Sequence, residues 1–85
     1  MNIQLQDASH GPVYLQIRQQ IEAQIKAQKL ASGAVLPGLG VLSQQLAVDR
    51  GEIQRAYFEL EQYGLARKKV SKDFLGKEKV SYTVA

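Results

Sequence analysis

From Leu36 to Leu65 the chain reads LPGLGVLSQQLAVDRGEIQRAYFELEQYGL, and no other stretch narrows the choice of fold as far. Pro37 and Gly38 open it. Leu42 and Leu46 then share one face of a short helix over about Leu39–Leu46, and Val48 plugs the turn that follows. Asp49 is placed to cap a longer helix, and Glu52 three residues on completes a capping-box pattern. Within that helix Ile53, Ala56, Tyr57 and Leu60 form a stripe of helical period, and Gly64 is the stop signal. A short helix, a tight turn and a longer helix make a helix-turn-helix, the arrangement that lays its second helix along the major groove of DNA.

The flanks complete a fold. Residues 1–11 lack a helical period and are expected to form an extended N-terminal segment, with one domain over 12–85. Pro12 is suited to a helix start because its missing N–H is harmless there. Ile17, Ile21 and Ile25 then recur every four residues with Leu15 beside them. Arg18, Gln19, Gln20, Glu22, Gln24 and Lys26 take the outside, which predicts an amphipathic helix over about Pro12–Gln28. Ser32-Gly33 is a turn signal, and Ala34-Val35-Leu36 suits a short strand. Leu65–Val70 and Val80–Val84 read as two strands joined around Gly76. The expected fold class is mainly α with a small β-hairpin: a winged helix-turn-helix, three helices plus a wing.

Composition removes most chemistries. Eighty-five residues allow one small core, too little for an ordinary enzyme cleft and its supporting shell. Without cysteine there is no disulfide, thiolate metal site or cysteine nucleophile. The single histidine, His10, has no cysteine beside it at ligand spacing, and Ser32, Ser43, Ser71 and Ser81 have no base to activate them. Gly38-Leu39-Gly40 lacks the third glycine of a dinucleotide loop and is better read as a loosened helix start. We therefore expect no enzyme, no metal and no cofactor. No apolar run approaches the roughly 18 residues of a membrane span, and no signal pattern opens the chain. A cytoplasmic protein is expected.

Three motifs together resemble the N-terminal DNA-binding domain of the GntR family of bacterial transcriptional regulators. They are the P-x-Y-x-Q-I opening at Pro12, the G-x-x-L-P bend ending at Pro37, and the A-x-x-E-L-E-x-x-G-L close from Ala56 to Leu65. The resemblance runs from Pro12 to Ala85. It implies a winged helix that binds duplex DNA and that is usually joined to a C-terminal effector-binding and dimerising domain; this chain ends with the wing. Residue by residue, Arg50 and Arg55 keep the family's basic character at the start of the third helix, with Gly51 between them. Gln54 stands where an arginine is common and suits an adenine edge. Gly40 replaces an arginine that in the family reaches DNA, and Glu52 replaces a residue expected near phosphate.

Two surfaces follow. Arg67, Lys68, Lys69, Lys72, Lys77 and Lys79 oppose only Asp73 and Glu78, so the wing is basic, and Lys68, Lys69, Lys72 and Lys77 are the candidates to hold phosphates. The DNA-binding set is then Arg50, Gly51, Gln54, Arg55 and these four lysines. Apolar side chains stand at positions expected to be off the core: Leu39, Val41, Phe58, Tyr63, Phe74 and Leu75. Phe58, Tyr63, Phe74 and Leu75 are candidates for contact with a second copy of the chain, forming a homodimer, or with another protein. The alternative to a DNA-binding regulator is thus a winged helix that has lost specific DNA binding and serves as a docking module.

Overall fold

A computed structural model describes residues 1–85. Its elements run α1 (Val13–Lys26), α2 (Leu39–Leu46), α3 (Arg50–Gln62), β1 (Ala66–Lys72) and β2 (Glu78–Val84), with one turn of 3-10 helix at Ala8–His10. No helix is long and apolar enough to cross a membrane. The core is the meeting of the predicted stripes. Ile17 and Ile21 of α1, Leu42 of α2 and Ile53, Ala56, Tyr57 and Leu60 of α3 are buried together, closed by Leu36 and by Ala66, Tyr82 and Val84 at the root of the wing. Ile25 and Leu46 pack only partly against this cluster.

The helix ends follow their local chemistry. Ala47, left-handed at φ 54°, ends α2, and the Asp49 carboxylate accepts from the Gly51 N–H at α3. After Tyr63, Gly64 turns left-handed at φ 74°, so its N–H reaches the Glu61 carbonyl and that of Leu65 the Leu60 carbonyl. That is the double bond of a Schellman close, and a side chain at Gly64 would be strained.

Glu52 behaves differently from the capping-box expectation. Its carboxylate accepts from the backbone N–H of Tyr14 at 2.9 Å, across to the first turn of α1. The residue ahead of α1 is Pro12, which provides no side-chain acceptor for the helix's free N–H groups. The neighbouring helix supplies one. Further along the same seam Arg18 Nε lies 2.9 Å from Glu59 Oε1, a half-buried charge contact rather than a well-aimed hydrogen bond. The Tyr63 ring sits over the Arg18 guanidinium at 5.1 Å.

The N-terminal segment is fastened by glutamines. Gln20 Oε1 accepts from the Gln4 N–H and Gln20 Nε2 donates to the Gln4 carbonyl, at 2.9 and 2.7 Å. Gln16 treats Gln6 the same way, and Gln24 Nε2 donates to the Asn2 carbonyl. Four residues of helix rise about 6 Å and two of extended chain about 6.6 Å, so a glutamine at every fourth helix position meets every second residue of the arm. The intervening Ile3 and Leu5 pack against the core.

The wing is longer than expected. β1 and β2 pair antiparallel from Ala66↔Val84 to Lys72↔Glu78, so two more residues join each strand at the tip than the β-formers alone indicate. Backbone pairing continues through polar residues because both faces there are solvated. Residues 34–36 lie along the other edge of β2: the Leu36 N–H donates to the Tyr82 carbonyl and the Val84 N–H to the Ala34 carbonyl.

Candidate nucleic-acid interface

Helical geometry divides α3 into three edges. Ile53, Ala56, Tyr57 and Leu60 are buried. Glu52, Glu59 and Tyr63 face α1, through the contacts above. The outward edge carries Gly51, Gln54 and Phe58, with Arg50 at its start, all exposed. Arg50 enters no ion pair within the chain. Gly51 leaves this edge without a side chain, and an added Cβ would meet nothing closer than the Asp49 carboxylate at 3.8 Å.

Arg55 is shared between roles. Its guanidinium stacks on the Tyr14 ring at 3.8 Å and stands 3.9 Å from Glu59, yet the side chain remains mostly exposed. Stacking on the aromatic face fixes its orientation while leaving its donors free. Glu52, held on α1, is turned away from the outward edge.

The wing sorts its charges by register. Side chains alternate along a strand, so Arg67, Lys69 and Ser71 share a face with their partners Thr83, Ser81 and Lys79. That face holds three cations and three hydroxyls and no acid. Lys68 and Lys72 lie on the other face with the Val70↔Val80 pair and Glu78, and Lys77 sits in the tip. The four expected lysines are therefore split. Arg67 and Lys79 join Lys69 instead, and only the register identifies them.

The apolar candidates do not assemble. Leu39 is half-buried against the core rather than off it. Phe58 is about half exposed on the outward edge of α3, one turn beyond Gln54. Tyr63, five residues on, points about 140° away and covers Arg18. Phe74 and Leu75 stand at the wing tip. No single patch contains all four.

A sequence model of the gntR family, described as bacterial regulatory proteins, matches residues 13–72. The chain belongs to the GntR family. Membership makes it a DNA-binding regulatory domain with the winged-helix fold. The structure is similar to YtrA from Sulfolobus acidocaldarius, a GntR-family transcription factor, at 28% identity over 98% of this chain and 77% of that one, with a TM-score of 0.72. It is also similar to AraR(DBD) in complex with operator ORX1, at 24% identity over 100% and 96% of the two chains (TM-score 0.70). With AraR(DBD) in complex with operator ORE1 the identity is 25% over 100% and 94%, with a TM-score of 0.68. No curated protein sequence matches the chain.

Against this family Gly40 is a departure with room to be reversed. It lies exposed in the first turn of α2, and an added Cβ would have nothing within 4 Å. Gly40→Arg is expected to stabilise the helix by about 1 kcal/mol through propensity. It is also expected to strengthen duplex binding roughly tenfold by one more phosphate contact. Thermal melts and a DNA titration check both, and a higher Tm with unchanged affinity would place the start of α2 off the DNA.

Proposed function

We propose that the domain regulates transcription by reading duplex DNA, with α3 in the major groove and the wing on flanking phosphates. The carrying observation is the outward edge of α3, where Arg50 is exposed and unpaired beside a side-chain-free Gly51 and an exposed Gln54. Arg50 suits the two acceptors of a guanine edge and Gln54 an adenine. The wing face of Arg67, Lys69 and Lys79 supplies charge without sequence preference. AraR(DBD) is known on operators, which supports carrying that mode to this chain.

The domain acts in the bacterial cytoplasm and has no catalytic part. Two copies read two half-sites about one helical turn apart, because one short helix supplies little affinity alone. Phe58 is an unsuitable joint for that pair, since it shares the edge needed by Gln54. The docking-module alternative loses its main support once Glu52 is turned away from the outward edge and the apolar residues are dispersed.

Selection from a random duplex pool tests the reading. The wild-type chain is expected to enrich a two-fold symmetric sequence. Arg50→Ala is expected to lose about 1–3 kcal/mol of discrimination at one base pair per half-site while still binding DNA. An Arg50→Ala protein that enriches the same sequence equally well would remove α3 from the major groove.

A further inference from the structure

Phe74 is the most exposed large apolar side chain in the molecule, at 95%, and Leu75 beside it is 67% exposed. A scattered exposed apolar residue is ordinary. This pair is not loosely placed. The Asp73 carboxylate accepts from the backbone N–H groups of Leu75 and Lys77, at 2.9 and 3.0 Å. The Asp73 N–H donates to the Lys77 carbonyl and the Gly76 N–H to the Asp73 carbonyl, with Gly76 left-handed at φ 81°. Four hydrogen bonds thus hold a five-residue tip in one shape. They also turn its only carboxylate onto backbone N–H groups. Phe74 and Leu75 are the two central residues of that turn, between Lys72 and Lys77.

An apolar point set in a basic hairpin has a matching partner chemistry. From Arg67 to Lys79 the wing has six basic and two acidic residues, 6 − 2 = +4. That charge disfavours a second copy of the same wing, and it favours a polyanion. Seven strand residues at about 3.3 Å each carry the tip about 23 Å from the wing root. Half a helical turn of DNA is about 17 Å, so a wing of this length spans from the major groove occupied by α3 to the neighbouring minor groove.

We propose that Phe74, backed by Leu75, is a wedge that enters the minor groove and partly unstacks one base step, bending the duplex. Apolar side chains inserted this way open a step and kink DNA toward the major groove. The ordered turn lets the ring enter without first being immobilised. Lys72 and Lys77 close on the phosphates either side. This rests on the DNA reading above and adds a deformation to it.

The test uses the full chain with a selected duplex carrying donor and acceptor dyes at its ends and 2-aminopurine at successive steps. Wild-type protein is expected to shorten the end-to-end distance and to raise 2-aminopurine emission at one step outside the α3 site. Phe74→Ala should bind about tenfold more weakly and lose both signals, and Phe74→Trp should keep them with its own emission quenched by the bases. Unchanged affinity and bending in Phe74→Ala would overturn the wedge and leave the DNA reading intact. Self-association abolished by Phe74→Ala, with DNA bending unaffected, would overturn it in favour of a protein contact. A wild-type chain that binds no duplex at low salt overturns both proposals.

Discussion

Tyr57→Ala is expected to remove about 3–5 kcal/mol of folding stability, most of what a chain this size possesses. Tyr57 is among the largest fully buried side chains and joins three parts of the fold. Its ring belongs to the α3 stripe. Its hydroxyl donates to the Pro37 carbonyl at 2.8 Å, holding the bend ahead of α2. Its ring also meets Tyr82 of β2 edge-on, with centroids 5.1 Å apart. Truncation leaves a cavity and an unsatisfied carbonyl and frees the wing root from α3. Tyr57→Phe keeps the packing and should lose only about 1 kcal/mol. Circular-dichroism melts of the three proteins decide it; an alanine variant melting within a few degrees of wild type would show that the wing root and α3 are joined elsewhere.

The same residue sets a pH limit. Burial, and secondarily the neighbouring Tyr82, push the Tyr57 hydroxyl well above its ordinary value. A raised pKa favours the neutral phenol in the folded state. Its contribution is therefore fully present below the unfolded value of about 10 and is lost as pH rises above it. The Tyr57→Phe protein should show a flatter alkaline loss of stability.

What the sequence discloses is what is local. The isoleucines of α1, the leucines of α2 and the four-residue stripe of α3 each have the period of their element, so three helices and their buried faces were readable. Gly64 was readable because only a left-handed stop explains it. The partner of Glu52, the Tyr14 N–H, is hidden from the sequence because it lies 38 residues away on another helix, whereas the capping-box pattern is adjacent. The arm escaped notice for a related reason. Gln20 and Gln24 look like a solvated face until an extended segment is laid antiparallel along them.

The candidate interface was legible on α3 and blurred on the wing. Arg50, Gly51 and Gln54 come from the resemblance to the GntR family, and the structure exposes all three together. On the wing, sequence gives charge but not face. Lys68 and Lys69 are neighbours in the chain and opposites in space, and nothing local predicts that Lys79 stands opposite Ser71. Strand register depends on the five-residue tip, whose closure by Asp73 is seen only in the fold. For the apolar residues, exposure was partly legible from helical phase, but proximity was not. Phe58 and Tyr63 look like one cluster in sequence and occupy different edges of α3.

The salt dependence of duplex binding, measured for wild type and for the triple variant Arg67→Gln, Lys69→Gln, Lys79→Gln, tests the division of labour between α3 and the wing most directly. Each phosphate neutralised releases counterion, giving a slope of about −0.9 per contact in log K against log salt. Removing three contacts should make the slope shallower by about 2–3 and weaken low-salt binding on the order of a hundredfold. The preference for the selected sequence over a scrambled duplex should stay unchanged, because the proposed reading assigns that preference to Arg50 and Gln54. All three substitutions are on exposed strand positions, so the melting temperature should hold. A shallower slope at constant sequence preference is the predicted result. A slope equal to that of wild type, or a sequence preference that disappears with the wing charges, would contradict it.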